Sequence, residues 1–352
     1  MLYFIIRKQG KPLLRKNILY PDHPDGIYHY DYVMINGIKQ FIQIRGKNKS
    51  APVLLVIHGG PGASLAGLCH VMQQKWEDEF VVVNWDQRGT CKTYVKNKRN
   101  AVSIGKTGTI ENFVKDTDEI IEYLHTLIRF DKIFLFGFSW GTVIGSEYAR
   151  LHPEKIKGYI AAGQVINFRR GIELTCKELE EIVLKKGKQS EYDHIIKSKK
   201  SIPVKNEMTK PFLSGLMSCV KIAARYIAPD GKAFPFSDVI FSPFMNFNEK
   251  LAMFSTDITR HEQTYKTLME YNFEVKTEYS VPVCYIYGSE DIMCRPFLLE
   301  RCLGRISAPV KKYILIEKAT HMCFYDKPEE FFSELKNFTD EVLTADNLLK
   351  RD

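Results

Sequence analysis

The chain is expected to be an α/β protein: a mostly parallel sheet covered by helices on both faces, with a block of helices inserted into it. Three observations predict this. Continuous apolar runs at Val53-Leu-Leu-Val-Ile57, Phe80-Val-Val-Val83, Ile133-Phe-Leu-Phe136 and Val281 to Tyr287 have the character of strands buried on both faces. Amphipathic segments with helical spacing alternate with them. That rhythm stops between Gln164 and Ser280, where no buried strand is found, and then resumes.

In chain order, an N-terminal apolar stretch, Met1 to Ile6, is followed by Arg7 and Lys8 and a basic arm. A secretory signal has its charges first and a longer apolar region after them. Alternating residues from Tyr28 to Ile35, then Asn36-Gly37, then Gln40 to Arg45 predict a β-hairpin. The strand Val53–Ile57 runs into His58-Gly59-Gly60-Pro61-Gly62. A stretch of helical character from Ser64 to Glu79 precedes the strand at Phe80, which runs into Asn84-Trp85-Asp86-Gln87-Arg88-Gly89. Thr109 is a suitable cap for a helix whose apolar residues Phe113, Ile120, Ile121, Leu124, Leu127 and Ile128 share one face.

Next come the strand at Ile133, a helix from Thr142 to Leu151 stopped at Pro153, and a strand from Lys157 to Ala162. The insertion offers helices at Leu174 to Lys186 and Glu262 to Asn272, and a loop-like stretch from Ala228 to Ser237. The last elements are the strand Val281 to Tyr287, a helix near Phe297 to Leu303, the strand Lys312 to Ile316 and a helix from Pro328 to about Leu343. The expected organisation is core at 1–163, helical cap at 164–280 and core again at 281–352.

Composition narrows the class. With 352 residues, 45% hydrophobic and 26% charged, the chain has room for one large domain with an insertion. Its net charge of +8 is spread thinly. The basic clusters Lys96 to Arg99 and Lys197 to Lys200 are short and lack interleaved aromatics, which argues against nucleic acid. Eight cysteines occur without a C-x-x-C pair, so reduced core thiols are expected, with no metal site and no disulfide framework. No stretch has the length of a membrane span. A cytoplasmic location is the default expectation.

The chemistry-bearing residues fall at strand ends. Gly137-x-Ser139-x-Gly141 lies between a buried strand and a helix, the context of a nucleophile elbow. A serine hydroxyl needs a base in hydrogen-bond reach, itself oriented by a carboxylate. In a doubly wound sheet such groups come from the carboxyl ends of strands. His321 stands beyond the last strand, and Asp291 follows the strand before it. Glu290, one residue away, is the alternative acid. The glycines of His58 to Gly62 let backbone approach a substrate oxygen. The amides of Gly60 and Trp140 are assigned as oxyanion donors, each contributing typically about 3 kcal/mol to a transition state. His58 itself reads as a hydrogen bonder that braces its loop.

With these residues in view, the chain resembles the α/β-hydrolase superfamily, and within it the proline iminopeptidase family of serine peptidases. The likeness rests on His58-Gly-Gly-Pro-Gly62, Asp86-Gln-Arg-Gly89, Gly137-x-Ser139-Trp140-Gly141, Asp291 and His321, and covers roughly residues 26–162 and 281–332. It implies an eight-stranded sheet with a helical cap, a Ser139-His321-Asp291 triad, no cofactor, and release of an N-terminal residue, often proline, from short peptides. Two departures stand out. Cys91 occupies the position where the family has a glycine after Asp-Gln-Arg-Gly. The family's Trp-x-x-Trp-Glu cap element, whose glutamate helps hold the substrate amine, is missing, since the only tryptophans are Trp76, Trp85 and Trp140. Glu173, Glu178 and Glu262 are candidate replacements, although each fits a solvated helix face. The expected function is therefore a serine hydrolase of aminopeptidase type acting on a small molecule or short peptide. The alternatives are a carboxylesterase or other small-acyl hydrolase, and a non-catalytic ligand-binding protein on the same fold.

Overall fold

The structure is a computed structural model that describes residues 19, 21–203, 209–227, 236–255 and 257–349. The apolar N-terminal stretch and residues 228–235 of the expected loop lie outside the described residues. Phe236 and Ser237, the end of that expected loop, instead begin a short helix, Phe236–Phe241.

Eight strands form one sheet: β1 (Ile27–Ile35), β2 (Ile38–Gly46), β3 (Val53–Ile57), β4 (Val81–Asp86), β5 (Ile133–Phe138), β6 (Ile156–Ala162), β7 (Val283–Gly288) and β8 (Lys311–Ile316), in the order β1-β2-β4-β3-β5-β6-β7-β8. The hairpin β1–β2 is antiparallel, with Ile35 opposite Ile38, so Asn36-Gly37 makes the two-residue turn. β2 is also antiparallel to β4, and every other pairing is parallel. From β3 the chain moves outward to β4, then returns past β3 to β5 and continues the other way. The order therefore reverses between β3 and β5, the switch point beyond which open sheets of this kind bind ligands. Those two ends carry His58 to Gly62 and Ser139.

The longer helices are α1 (Ile110–His125), α2 (Trp140–Leu151), α3 (Phe168–Lys185), α4 (Gln189–Lys200), α5 (Lys210–Tyr226), α6 (Glu262–Glu270), α7 (Pro296–Leu303) and α8 (Pro328–Leu349). Thr109 caps α1 as expected, accepting from the Asn112 amide. The stretch 64–79 holds only two single-turn helices, Cys69–Met72 and Trp76–Glu79.

Alternation along each strand sends its apolar residues to two different cores. On one face Leu55 and Leu135 pack with Phe113, Ile120 and Leu124 of α1 and Val143, Ile144 and Tyr148 of α2. On the other, Leu54, Val56, Phe134 and Phe136 pack with Trp76 and with Phe331, Leu335 and Phe338 of α8. A third, smaller core belongs to the inserted helices: Ile172, Leu179 and Val183 of α3, Ile195 of α4, and Phe212, Ile222 and Ala223 of α5, joined by Ile292 from the segment after β7. Among the described residues between β6 and β7 every regular element is helical, and no helix is long and apolar enough to cross a membrane.

Candidate active site

Ser139 is held in a conformation that L residues seldom adopt, with φ 51° and ψ −119°, between the last residue of β5 and the first turn of α2. Such strain persists only where the surroundings enforce it. Here the enforcement is steric. A Cβ on Gly141 would lie 2.0 Å from the Ile57 carbonyl oxygen, and one on Gly59 would lie 2.9 Å from the Ser139 Cβ. The elbow and the loop after β3 are thus in direct backbone contact, which only glycine permits.

The Asp86-Gln-Arg-Gly89 motif is the brace under both. Gln87 donates from Nε2 to the His58 carbonyl at 2.8 Å and accepts the Trp140 indole N–H at 3.0 Å. The Gln87 amide donates to His58 Nε2 at 3.2 Å, while Nδ1 of that imidazole donates to the Gly59 carbonyl at 2.8 Å. That pattern requires a neutral imidazole with its proton on Nδ1. Complete burial pushes the His58 pKa down to about 4, in keeping with this tautomer. His58 is a brace, as its sequence context suggested. Asp86 accepts from the Ser64 hydroxyl and from the Lys92 amide, and burial pushes its carboxyl up to about 6. Arg88 forms a buried two-pronged ion pair with Asp116 of α1, its Nε 2.8 Å from Oδ2.

Cys91 has φ 37°, so the place where a glycine was expected is one that favours glycine. Its buried thiol reaches toward the Glu249 carbonyl at 3.7 Å. Nearby, Lys92 pairs with Glu249 at 2.5 Å, joining the core to a helix of the insertion, Phe247–Met253.

Beyond β7 and β8, Nδ1 of His321 lies 2.8 Å from Oδ2 of Asp291. Oδ1 of Asp291 accepts the amides of Met293 and Cys294, each at 2.8 Å. Asp291 is therefore the acid that faces the histidine. Glu290 has no such contact, and its Oε2 is buried without a hydrogen-bond partner among the described residues. The His321 ring packs on Phe138, the residue before Ser139, with centroids 5.0 Å apart. Gly163, at the end of β6, leaves room for the pair: a Cβ there would lie 3.2 Å from Asp291 Oδ2 and 3.3 Å from His321 Cε1. No direct Ser139–His321 hydrogen bond is formed among the described residues. Catalytic hydrogen bonds are often long or misaligned without substrate.

Cys294 is the member of this cluster that the sequence reading missed. Its thiol is buried, and its sulfur lies with the donor atoms of Asp291 and His321 in a group whose atoms are all within 4.8 Å of one another. Burial and the Asp291 carboxylate push its pKa well up, opposed by the Ser139 hydroxyl beside it. Thiol, carboxylate and imidazole are a donor set for a soft divalent cation. The Asp291–His321 hydrogen bond and the two amides on Asp291 already engage the two oxygens and Nδ1. The segment pattern carried no signal for Cys294, because its nearness to His321 and Ser139 joins segments far apart in the chain.

The amides of Gly60 and Trp140 have no acceptor in the protein among the described residues. Trp140 begins α2, so its amide is one of the donors that a helix leaves unpaired at its N-terminus. Of the three cap acids considered from sequence, Glu173 and Glu262 are exposed, and Glu178 pairs with Arg295 at 2.5 Å. Another element of the insertion does approach the site loops. The buried His261 packs against Gly62 and Gly89, and burial pushes its imidazole down to about 3.

A doubly wound, largely parallel sheet of this strand order, with a strained serine turn at its switch point, has the architecture of the α/β hydrolases. A family model described as alpha/beta hydrolase fold matches residues 52–328, and the chain belongs to that family. It is similar to the Bacillus subtilis (strain 168) protein named Probable aminopeptidase YbaC, at 23% identity over 86% of this chain and 93% of that one. It is also similar to the proline iminopeptidase of Neisseria gonorrhoeae, at 27% identity over 39% of this chain and 40% of that protein. The solved structure of the Mycobacterium smegmatis proline iminopeptidase superposes with a TM-score of 0.66 at 18% identity, covering 91% of this chain and all of that one. The chain is thus an α/β hydrolase that is similar to proteins named aminopeptidase and proline iminopeptidase.

Proposed function

We propose that this hydrolase is a serine aminopeptidase of proline iminopeptidase type, releasing N-terminal residues from short peptides or amides through an acyl-enzyme. The observation that carries the reading is the 2.8 Å Asp291–His321 hydrogen bond, at the same sheet edge as a serine held at φ 51°. In this scheme His321 takes the proton of Ser139 as its Oγ attacks the carbonyl carbon, and Asp291 holds the imidazole with Nδ1 protonated. The amides of Gly60 and Trp140 receive the developing oxyanion. His321 then returns the proton to the leaving amine, and water, deprotonated by the same histidine, releases the acyl group. The scheme requires the Ser139 side chain to rotate away from Cys294 so that its hydroxyl meets the imidazole. Residues 164–280 act as a cap over the switch point, and the protein is a cytoplasmic one that needs no nucleic acid, membrane or cofactor.

A second reading, a carboxylesterase or other small-acyl hydrolase, is favoured by one observation. The cap acids considered for a substrate amine are exposed or ion-paired. A panel of aminoacyl-arylamides against nitrophenyl esters, with Ser139→Ala as control, separates the two. Preference for the proline arylamide is the expected result; turnover of esters alone overturns the peptidase assignment. Failure of a fluorophosphonate to label Ser139 in folded protein would overturn both and leave a ligand-binding protein.

A further inference from the structure

The inserted helices hold a pair of thiols for which the hydrolytic reading has no use. Cys176 of α3 and Cys219 of α5 face each other with their sulfurs 3.9 Å apart. Both are buried in the small core of the insertion, 1% and 2% exposed. They line a cavity of about 10 Å³ together with Thr175, Leu216, Val220 and Ile292. That volume is close to what one water-sized molecule occupies. Hydrogen peroxide is nearly as small.

We propose that Cys176 and Cys219 are a redox modification site, a dithiol that peroxide converts into a reversible disulfide tying α3 to α5. A disulfide needs its sulfurs at about 2.05 Å, so the pair must close by roughly 2 Å, within reach of a side-chain rotation and a small helix shift. The two thiols are not equivalent. The contact between the sulfurs, in which either can be the donor, and the Ser198 hydroxyl push the Cys219 thiol down despite its burial. Burial instead raises the other six thiols, Cys69, Cys91, Cys284, Cys294, Cys302 and Cys323. Since the thiolate is the nucleophile, reactivity concentrates at Cys219.

The steps balance. The Cys219 thiolate attacks one peroxide oxygen; the S–O bond forms, the O–O bond breaks and hydroxide leaves. Cys176 then attacks the sulfenyl sulfur; the S–S bond forms, the S–O bond breaks, and the oxygen departs as water with the Cys176 proton. Two thiols lose two electrons, and one peroxide becomes two waters once the hydroxide is protonated. A dithiol reductant reverses the bond. The tie also lies next to the candidate acid loop, because the hydroxyl of Thr175, the neighbour of Cys176, donates to the Ile292 carbonyl at 2.8 Å.

The test uses the full chain. It is treated with hydrogen peroxide, and its thiols are counted in denaturant before and after a dithiothreitol chase. The expected result is a fall from eight titratable thiols to six, a 2 Da mass loss, and a non-reduced digest in which the Cys176 peptide is linked to the Cys219 peptide. Dithiothreitol restores the count. Cys219→Ser should abolish the linkage, and Cys284→Ser should leave it intact. Eight thiols persisting under peroxide, a link between other cysteines, or over-oxidation of Cys219 without a link would each overturn the proposal. The wild-type digest decides the matter even if a variant fails to fold.

Discussion

The indole N–H of Trp140 donates to Oε1 of Gln87 across 3.0 Å, and the other end of that carboxamide donates to the carbonyl of His58. One buried side chain thus couples the start of α2 to the loop after β3, whose amides are the two proposed oxyanion donors. Their spacing depends on a residue that touches no substrate. Gln87→Leu is expected to lower kcat about 10- to 100-fold with little change in KM, because a misplaced donor weakens the transition state more than the ground state. It should also cost about 2–4 kcal/mol of stability, since an indole N–H and a carbonyl lose their partners in the core. Steady-state kinetics beside urea unfolding check both.

The acid can be identified by substitution. Asp291 accepts from His321 and from two amides, whereas Glu290 makes no contact with the imidazole. Asp291→Asn is expected to reduce kcat by about 10³- to 10⁴-fold. Glu290→Gln should stay within a few-fold of wild type. Reversal of that order would move the acid to residue 290.

Arg88 and Asp116 form an ion pair whose side chains are 3% and 0% exposed. Asn36 also donates to Asp116 Oδ1 at 3.0 Å, so the hairpin turn is fastened to α1 by the same carboxylate. Asp116→Ala leaves a buried guanidinium uncompensated and is expected to cost about 3–5 kcal/mol in urea unfolding. A loss below about 1 kcal/mol would mean that water reaches the site.

Acid should destabilise the protein through its buried imidazoles. His58 is depressed to about 4 by burial, and His261 to about 3 by burial, the Arg260 charge and His58. An unfolded histidine titrates near 6.5, so the stability from keeping each ring neutral is fully present above about pH 6.5. It is lost as pH falls toward each folded value. Asp86, raised to about 6, works the other way: its contribution is present below the unfolded carboxylate value and lost as pH rises through about 6. One imidazole is roughly offset by that carboxyl, leaving a net loss of about 3–5 kcal/mol between pH 6.5 and pH 4. Urea midpoints across that range measure it, and His261→Gln should flatten the slope.

Much of this molecule is legible from local pattern. Apolar runs of four to seven residues located the central strands, and Asn36-Gly37 located the hairpin turn, because strand burial and turn chemistry are written in consecutive residues. The same held for the turn at Ser139, whose neighbours Gly137 and Gly141 are dictated by backbone contacts at Gly141 and Ile57 respectively. The helix expected from Ser64 to Glu79 breaks into two single turns, although its buried residues Leu65, Leu68, Met72 and Trp76 keep a helical spacing.

By itself, then, the amino-acid order determined the alternation of strands and helices, the serine turn, and the strand ends where an acid and a histidine had to be sought. Tertiary structure alone decided that residue 291 and not 290 meets the imidazole, that Gln87 links two loops, that Cys294 lies beside Ser139, and that Cys176 finds Cys219. Periodicity is a property of neighbours along the chain. A distance of 3 or 4 Å between residues dozens of positions apart is set by how helices and loops settle on the sheet, and no short window of residues contains it.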